Sequence, residues 1–190
     1  MTTIVNEIDA SLARRIRAER GQRSWSLGDL AHASGVSKAM ISKIERGETS
    51  PTAALLGKLT GAFGISLSSL FSVETARASK LRRKAEQEWW TDPESGQRRA
   101  TISPPAAQLL ELVKSELPPN ARIDYPSMSY RGVLQQIWML SGTLTFHEGE
   151  IVHVLKAGDC QELSEPSNTS FRNMSDTQAC SYLIAKTKRI

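Results

Sequence analysis

The sequence predicts a two-domain chain: an all-α head of five helices containing a helix-turn-helix, then an all-β unit closed as a barrel or jelly roll. Three observations carry this. Apolar residues recur at helical spacing over 9–72, and short β-prone runs bounded by turn residues recur about every ten residues after position 87. A polar, basic stretch over 73–86 separates them as a linker, giving domains 9–72 and 87–190. At 190 residues the chain is long enough for two small cores.

In the head, Leu12 and Ile16 mark the inner side of a first helix running from about Asp9 or Leu12 to Arg20. Ser26 is placed to cap a second helix, whose Leu27, Leu30 and Ala31 give one apolar face. Ser34-Gly35-Val36 breaks it, and Gly35 suits the left-handed backbone of a tight interhelical turn. Ser37 caps a third helix in which Met40, Ile41 and Ile44 are expected to face inward, and Gly47 ends it. Pro51 stands near the start of a fourth helix with Ala54, Leu55, Leu59 and Phe63 at helical spacing. Gly64 closes that helix, and Ser66 opens a fifth carrying Leu67, Leu70 and Phe71.

The third helix leaves Lys38, Ala39, Ser42, Lys43 and Arg46 outside, a cationic or small face with no carboxylate among them. A helix entering a DNA major groove must offer donors and small side chains to base edges and cations to phosphates. The charge distribution agrees. Residues 1–72 hold nine Lys/Arg against six Asp/Glu, while residues 100–190 hold eight against nine. The basic excess therefore lies in the head, as a polyanion-binding unit requires.

In the second half, Asp92-Pro93-Glu94-Ser95-Gly96 is a turn between strand-like pieces at Gln87 to Thr91 and Gln97 to Ile102. Further strands are predicted at Ala107 to Ser115, Ala121 to Tyr125, Leu134 to Leu140, Thr143 to His147, Ile151 to Leu155, Cys160 to Leu163, Thr169 to Arg172 and Cys180 to Lys186. No apolar run is long enough for a membrane span, and Met1 to Ala10 lacks a secretory signal core, so a cytoplasmic protein with no membrane partner is expected. Cys160 and Cys180 show no metal or redox spacing and are expected to be reduced.

The segment from Asp9 to Phe71 resembles the DNA-binding domain of phage-repressor-like (XRE) regulators, whose A-x-x-x-G-V-S-x-x-x-I-S-x-I-E-x-G pattern stands here as Ala31 to Gly47. The resemblance implies binding to a pseudo-palindromic double-stranded operator as a homodimer. By it, Lys38, Ala39 and Lys43 face bases, and Ser26, Ser37, Ser42 and Arg46 face phosphates. Leu27 stands where that family often has a phosphate-contacting glutamine. The resemblance also implies an ion pair between Arg20 and Glu45.

Gln136-Ile-Trp-Met-Leu-Ser-Gly142-Thr-Leu-Thr-Phe, Leu155-Lys-Ala-Gly-Asp159 and Phe171-Arg-Asn173 resemble the two motifs of a cupin. Together the resemblances point to the regulators that join an XRE head to a C-terminal cupin. The family's four metal-ligand positions fall here on Ser127, Ser129, Gln135 and Thr169, all neutral and none a histidine, so no metal and no cofactor are expected. His147 and His153 lie at a hairpin end and in the next strand and, like His32 on a helix surface, are read as structural. Tyr125, Ser127, Ser129, Gln135, Trp138, Thr169, Phe171 and Tyr182 are the candidates to line a site for a small-molecule effector of unknown identity. The expected function is a non-enzymatic regulator whose barrel senses a ligand, dimerises, or both. The rival readings are a cupin enzyme with a regulatory head and a protein-interaction module of antitoxin type.

Overall fold

The computed structural model describes residues 7–71, 79–104, 110–130, 132–163 and 165–188. The head holds four α-helices: α1 (Glu7–Gln22), α2 (Leu27–Ser34), α3 (Lys38–Glu45) and α4 (Ala53–Phe63). Their ends follow from local chemistry. At α2 the Ser26 hydroxyl accepts from the Asp29 amide, and the Asp29 carboxylate accepts from the Ser26 amide at 2.7 Å, closing a capping box. Gly35 ends α2 at φ 68°, its amide donating to Ala31 O at 3.0 Å. Ser37 caps α3 through the Met40 amide, and Thr52 caps α4 through the Leu55 amide.

The expected fifth helix is a 3-10 helix of five residues, Leu67–Phe71, so the head has four α-helices rather than five. Five residues allow hardly any i→i−4 bonds, whereas the tighter i→i−3 pattern closes at once, as from the Ser69 amide to Ser66 O at 3.1 Å. Its Leu67 and Leu70 are buried as a helix would have buried them.

The head core is Leu12, Ile16, Leu30, Ile41, Ile44, Leu56 and Leu59, each at most 1% exposed. Burial of each such side chain contributes about 1.5 to 3 kcal/mol. Met40 does not join them. It sits one position, about 100°, around the helix from Ile41 and is 37% exposed, which corrects its inward assignment.

The body is two antiparallel sheets face to face. One has six strands in the order β1 (Trp90–Thr91), β2 (Arg98–Thr101), β3 (Leu110–Leu117), β10 (Cys180–Lys188), β5 (Val133–Ser141) and β8 (Cys160–Leu163). The other has four, in the order β4 (Arg122–Tyr125), β9 (Thr169–Arg172), β6 (Thr143–Glu148) and β7 (Ile151–Lys156). Period-2 alternation sends Gln135, Ile137 and Met139 of β5 inward together with Tyr182 and Ile184 of β10. Phe146 and Phe171 meet them from the opposite sheet; the Phe171 ring stacks on Tyr182 at 5.6 Å.

The strand expected over Gln87 to Thr91 shrinks to Trp90–Thr91, because the Asp92 amide turns back to bond Gln97 O at 2.8 Å and Pro93 has no amide to donate. Residues 107–109 of the strand expected at Ala107, and residues 73–78 of the linker, lie outside the described residues. Among those described, no helix is long and apolar enough to cross a membrane.

Head and body share one continuous core. α4 lies across the barrel mouth. A Cβ on Gly61 would stand 2.5 Å from the backbone Met128 O, so the approach requires glycine there, while one on Gly57 would meet the movable Ser129 Oγ at 2.7 Å and the Tyr125 ring at 3.2 Å, a tight fit. The Ala53 amide at the start of α4 donates to the buried Asp92 carboxylate at 2.8 Å, Ser66 Oγ donates to Glu111 Oε2 at 2.7 Å, and the Phe71 and Trp90 rings lie 5.5 Å apart.

Candidate nucleic-acid interface and barrel cavity

α3 projects Lys38, Ala39, Lys43 and Arg46 into solvent. Its acidic residue, Glu45, is turned away: Arg20 Nε and Nη2 hold its two carboxylate oxygens at 2.7 Å each, while Arg20 Nη1 donates to Trp25 O at 2.8 Å. This bidentate pair ties α1 to α3 and to the entry of α2, fixing the angle at which α3 is presented. Donating to Glu45 raises the arginine's already high pKa, so Arg20 stays cationic across the physiological range.

The remaining expected DNA contacts have partners within the head. Ser26 and Ser37 cap α2 and α3 and stay solvent-exposed; Ser42, half-buried, accepts from Arg46 Nη1. Arg46 also forks onto Glu48, at 2.6 Å from Nε and 2.8 Å from Nη2. That fork holds the Glu48 carboxyl below the usual carboxylate range. Lys38 and Lys43 are exposed with cationic heads available to a partner.

Inside the barrel is a cavity of about 30 Å³, room for two waters or so. Of the expected ligand-lining residues, Tyr125, Ser129, Gln135, Phe171 and Tyr182 line it. Ser127 instead begins a 3-10 turn (Ser127–Tyr130), its amide donating to Asn168 Oδ1 at 2.9 Å. Thr169 stands one step behind the wall, hydrogen-bonded to the lining residue Tyr130. Trp138 is on the outer face, 50% exposed, because alternation along β5 turns it opposite to Ile137 and Met139.

Two lining residues carry charge and were not anticipated: Arg99 of β2 and Lys186 of β10. Arg99 is 6% exposed, lies 5.7 Å from the Phe71 ring centroid, and its Nη2 has no hydrogen-bond partner among the described residues. Ser129 Oγ is likewise without one. Burial and then the like charge of Arg99 push the Lys186 ammonium down to about 7, against the pull of Glu111. The roof is Gly57 and Thr60 of α4, with Leu67 beside them.

The resemblance to a cupin raises the question of a metal, and this donor set does not fit one. The positions concerned hold hydroxyls and an amide, and two cationic side chains face the same space. Among the described residues no three His, Cys, Asp or Glu side chains cluster as a metal site would require.

The fold and the exposed helix define a class: a helix-turn-helix head joined to a body of two facing antiparallel sheets. Residues 16–70 match the family described as Helix-turn-helix, and this segment is a helix-turn-helix domain. It is similar to the HTH-type transcriptional regulator SutR of Escherichia coli (strain K12), 46% identical over 61 residues, which are 32% of this chain and 34% of that protein. It is also similar to the HTH-type transcriptional regulator SlrR of Bacillus subtilis (strain 168), 39% identical over 79 residues, 41% of this chain and 51% of that one. The chain thus spans about a third and about half of these curated relatives. The crystal structure of an HTH_3 family transcriptional regulator from Vibrio cholerae shares the fold over 95% of this chain and 97% of its own, with a TM-score of 0.78 and 24% identity.

Proposed function

We propose that this chain is a sequence-specific DNA-binding transcriptional regulator, acting in the cytoplasm as a homodimer on a pseudo-palindromic operator, with the linker at 73–86 dividing a DNA-binding head from an effector-binding body. The observation that carries the reading is α3, which exposes Lys38, Ala39, Lys43 and Arg46 while its carboxylate is locked inward on Arg20. In the docked complex Lys38, Ala39 and Lys43 meet base edges, and Ser26, Ser37, Ser42 and Arg46 meet phosphates. Arg46 exchanges Glu48 for phosphate on binding.

Pairing through the outer face of the six-stranded sheet is supported by Leu134, Trp138 and Leu140, 37%, 50% and 39% exposed, with Leu183 directly paired to Trp138. The enzyme reading is disfavoured by the chemistry of the donor set in the barrel.

Titrating the protein with DNA from upstream of its own gene tests the head. Lys38→Ala or Lys43→Ala should each weaken specific binding by about 1 to 3 kcal/mol and relax base preference at the contacted positions. Unchanged discrimination in both variants would remove α3 as the reader.

A further inference from the structure

We propose that the barrel cavity binds a small organic carboxylate, seated between Arg99 of β2 and Lys186 of β10 beneath the α4 roof. This rests on the reading of the body as effector-binding and names the ligand's chemistry.

Arg99 is the core of the argument. A guanidinium 94% buried with an unpartnered Nη2 is costly unless an acceptor reaches it, and no carboxylate of this chain forms an ion pair with it among the described residues. Its planar fork matches a carboxylate. Ser129 Oγ, also unpartnered, adds a hydroxyl on the same cavity. The other walls suit the rest of such a ligand: Phe171, Ile184 and the faces of Tyr125, Tyr130 and Tyr182 are apolar. The phenols of Tyr125 and Tyr182 are already engaged with Gln97, at 3.3 and 2.6 Å.

Charge selects a monoanion. The groups facing the Lys186 ammonium are Arg99 on β2, Glu111 on β3, Tyr125 on β4, Tyr130 on the 3-10 turn and Tyr182 on its own strand. Burial holds the three phenols above their ordinary pKa, so all remain neutral near pH 7. Glu111, directly opposite Lys186 across β3 and β10, accepts from Ser66 Oγ and still acts on Lys186 as a counter-charge. Set against Glu111, Arg99 and a protonated Lys186 leave one net positive charge, enough for a single negative one. The volume of about 30 Å³ holds two waters or so, less than the smallest organic carboxylate, so the ligand must lift α4 to enter.

The test is titration of the full-length protein with acetate, propionate and pyruvate, with sulfate and phosphate as separate arms, followed by calorimetry and thermal shift up to about 10 mM ligand. At least one carboxylate should bind saturably, and Arg99→Gln should weaken it about tenfold or more. Affinity should fall between about pH 6 and about pH 8 as Lys186 loses its proton, and Lys186→Met should flatten that profile. Should Arg99→Gln fail to fold, Lys186→Met and the pH profile decide. The proposal is overturned if no carboxylate binds, if sulfate or phosphate binds in their place, or if both variants bind like the parent with the same pH profile. Operator titration on the same preparations separates the readings. Carboxylate binding without operator binding removes the regulator reading, and operator binding without carboxylate binding removes this one.

Discussion

Glu45 is the residue on which presentation of α3 depends. Its side chain is 7% exposed and that of Arg20 18%, so the pair is shielded enough that losing one partner leaves a charge without compensation. Glu45→Gln should lower stability by about 3 kcal/mol in denaturant titrations and weaken DNA binding in the fraction that remains folded. The pair was legible through the family resemblance, which implies an arginine at position 20 held against the glutamate at position 45. Arg99 could not. It stands beside Arg98 in a four-residue strand too short to show its alternation, yet the pleat sends Arg98 out to Glu116 at 3.1 Å and Arg99 in beneath Phe71. Lys186 did carry a signal, the inward set Tyr182, Ile184, Lys186 at period two. Applied to β5, the same rule would have placed Trp138 outside with Leu134 and Leu140.

At the scale of elements, α4 belongs to both halves of the molecule. Its apolar spacing was legible, but its second contact surface was not. Glycine within a helix costs about 1 kcal/mol relative to alanine, and nothing local reveals that Gly57 and Gly61 admit Tyr125, Met128 and Ser129 from a distant turn. Gly61→Ala forces a Cβ against the Met128 carbonyl and should destabilise the joined structure by about 1 to 3 kcal/mol, despite the better helix propensity of alanine. Calorimetry should show it as a lower or split unfolding transition. A single transition at unchanged temperature would mean the head rests on the barrel loosely. The 3-10 segment Leu67–Phe71 teaches a related lesson. Hydrophobic spacing identified which residues are buried, whereas the hydrogen-bond ring they close was settled by how few residues were available.

The whole molecule is one core running from a cationic helix to an apolar sheet face. Replacing Trp138 with Glu puts a charge in the middle of that face; on the proposed pairing, Trp138→Glu should convert a dimer to monomer in light scattering and weaken DNA binding while each chain stays folded. An unchanged mass would remove this face as the pairing surface. The division into head and body followed directly from the change in hydrophobic period, since helices and strands repeat at 3.6 and 2 residues. Their close seating came instead from contacts between residues far apart in the chain. Gly57, Gly61, Asp92 and Glu111 act as the rivets of that seating. In a two-fold assembly such heads behave like the jaws of a caliper rather than beads on strings. On the proposed pairing, the distance between the two α3 helices would be a property of the barrels, so a molecule of a few atoms wedged under α4 would change the gauge without touching the exposed face of α3.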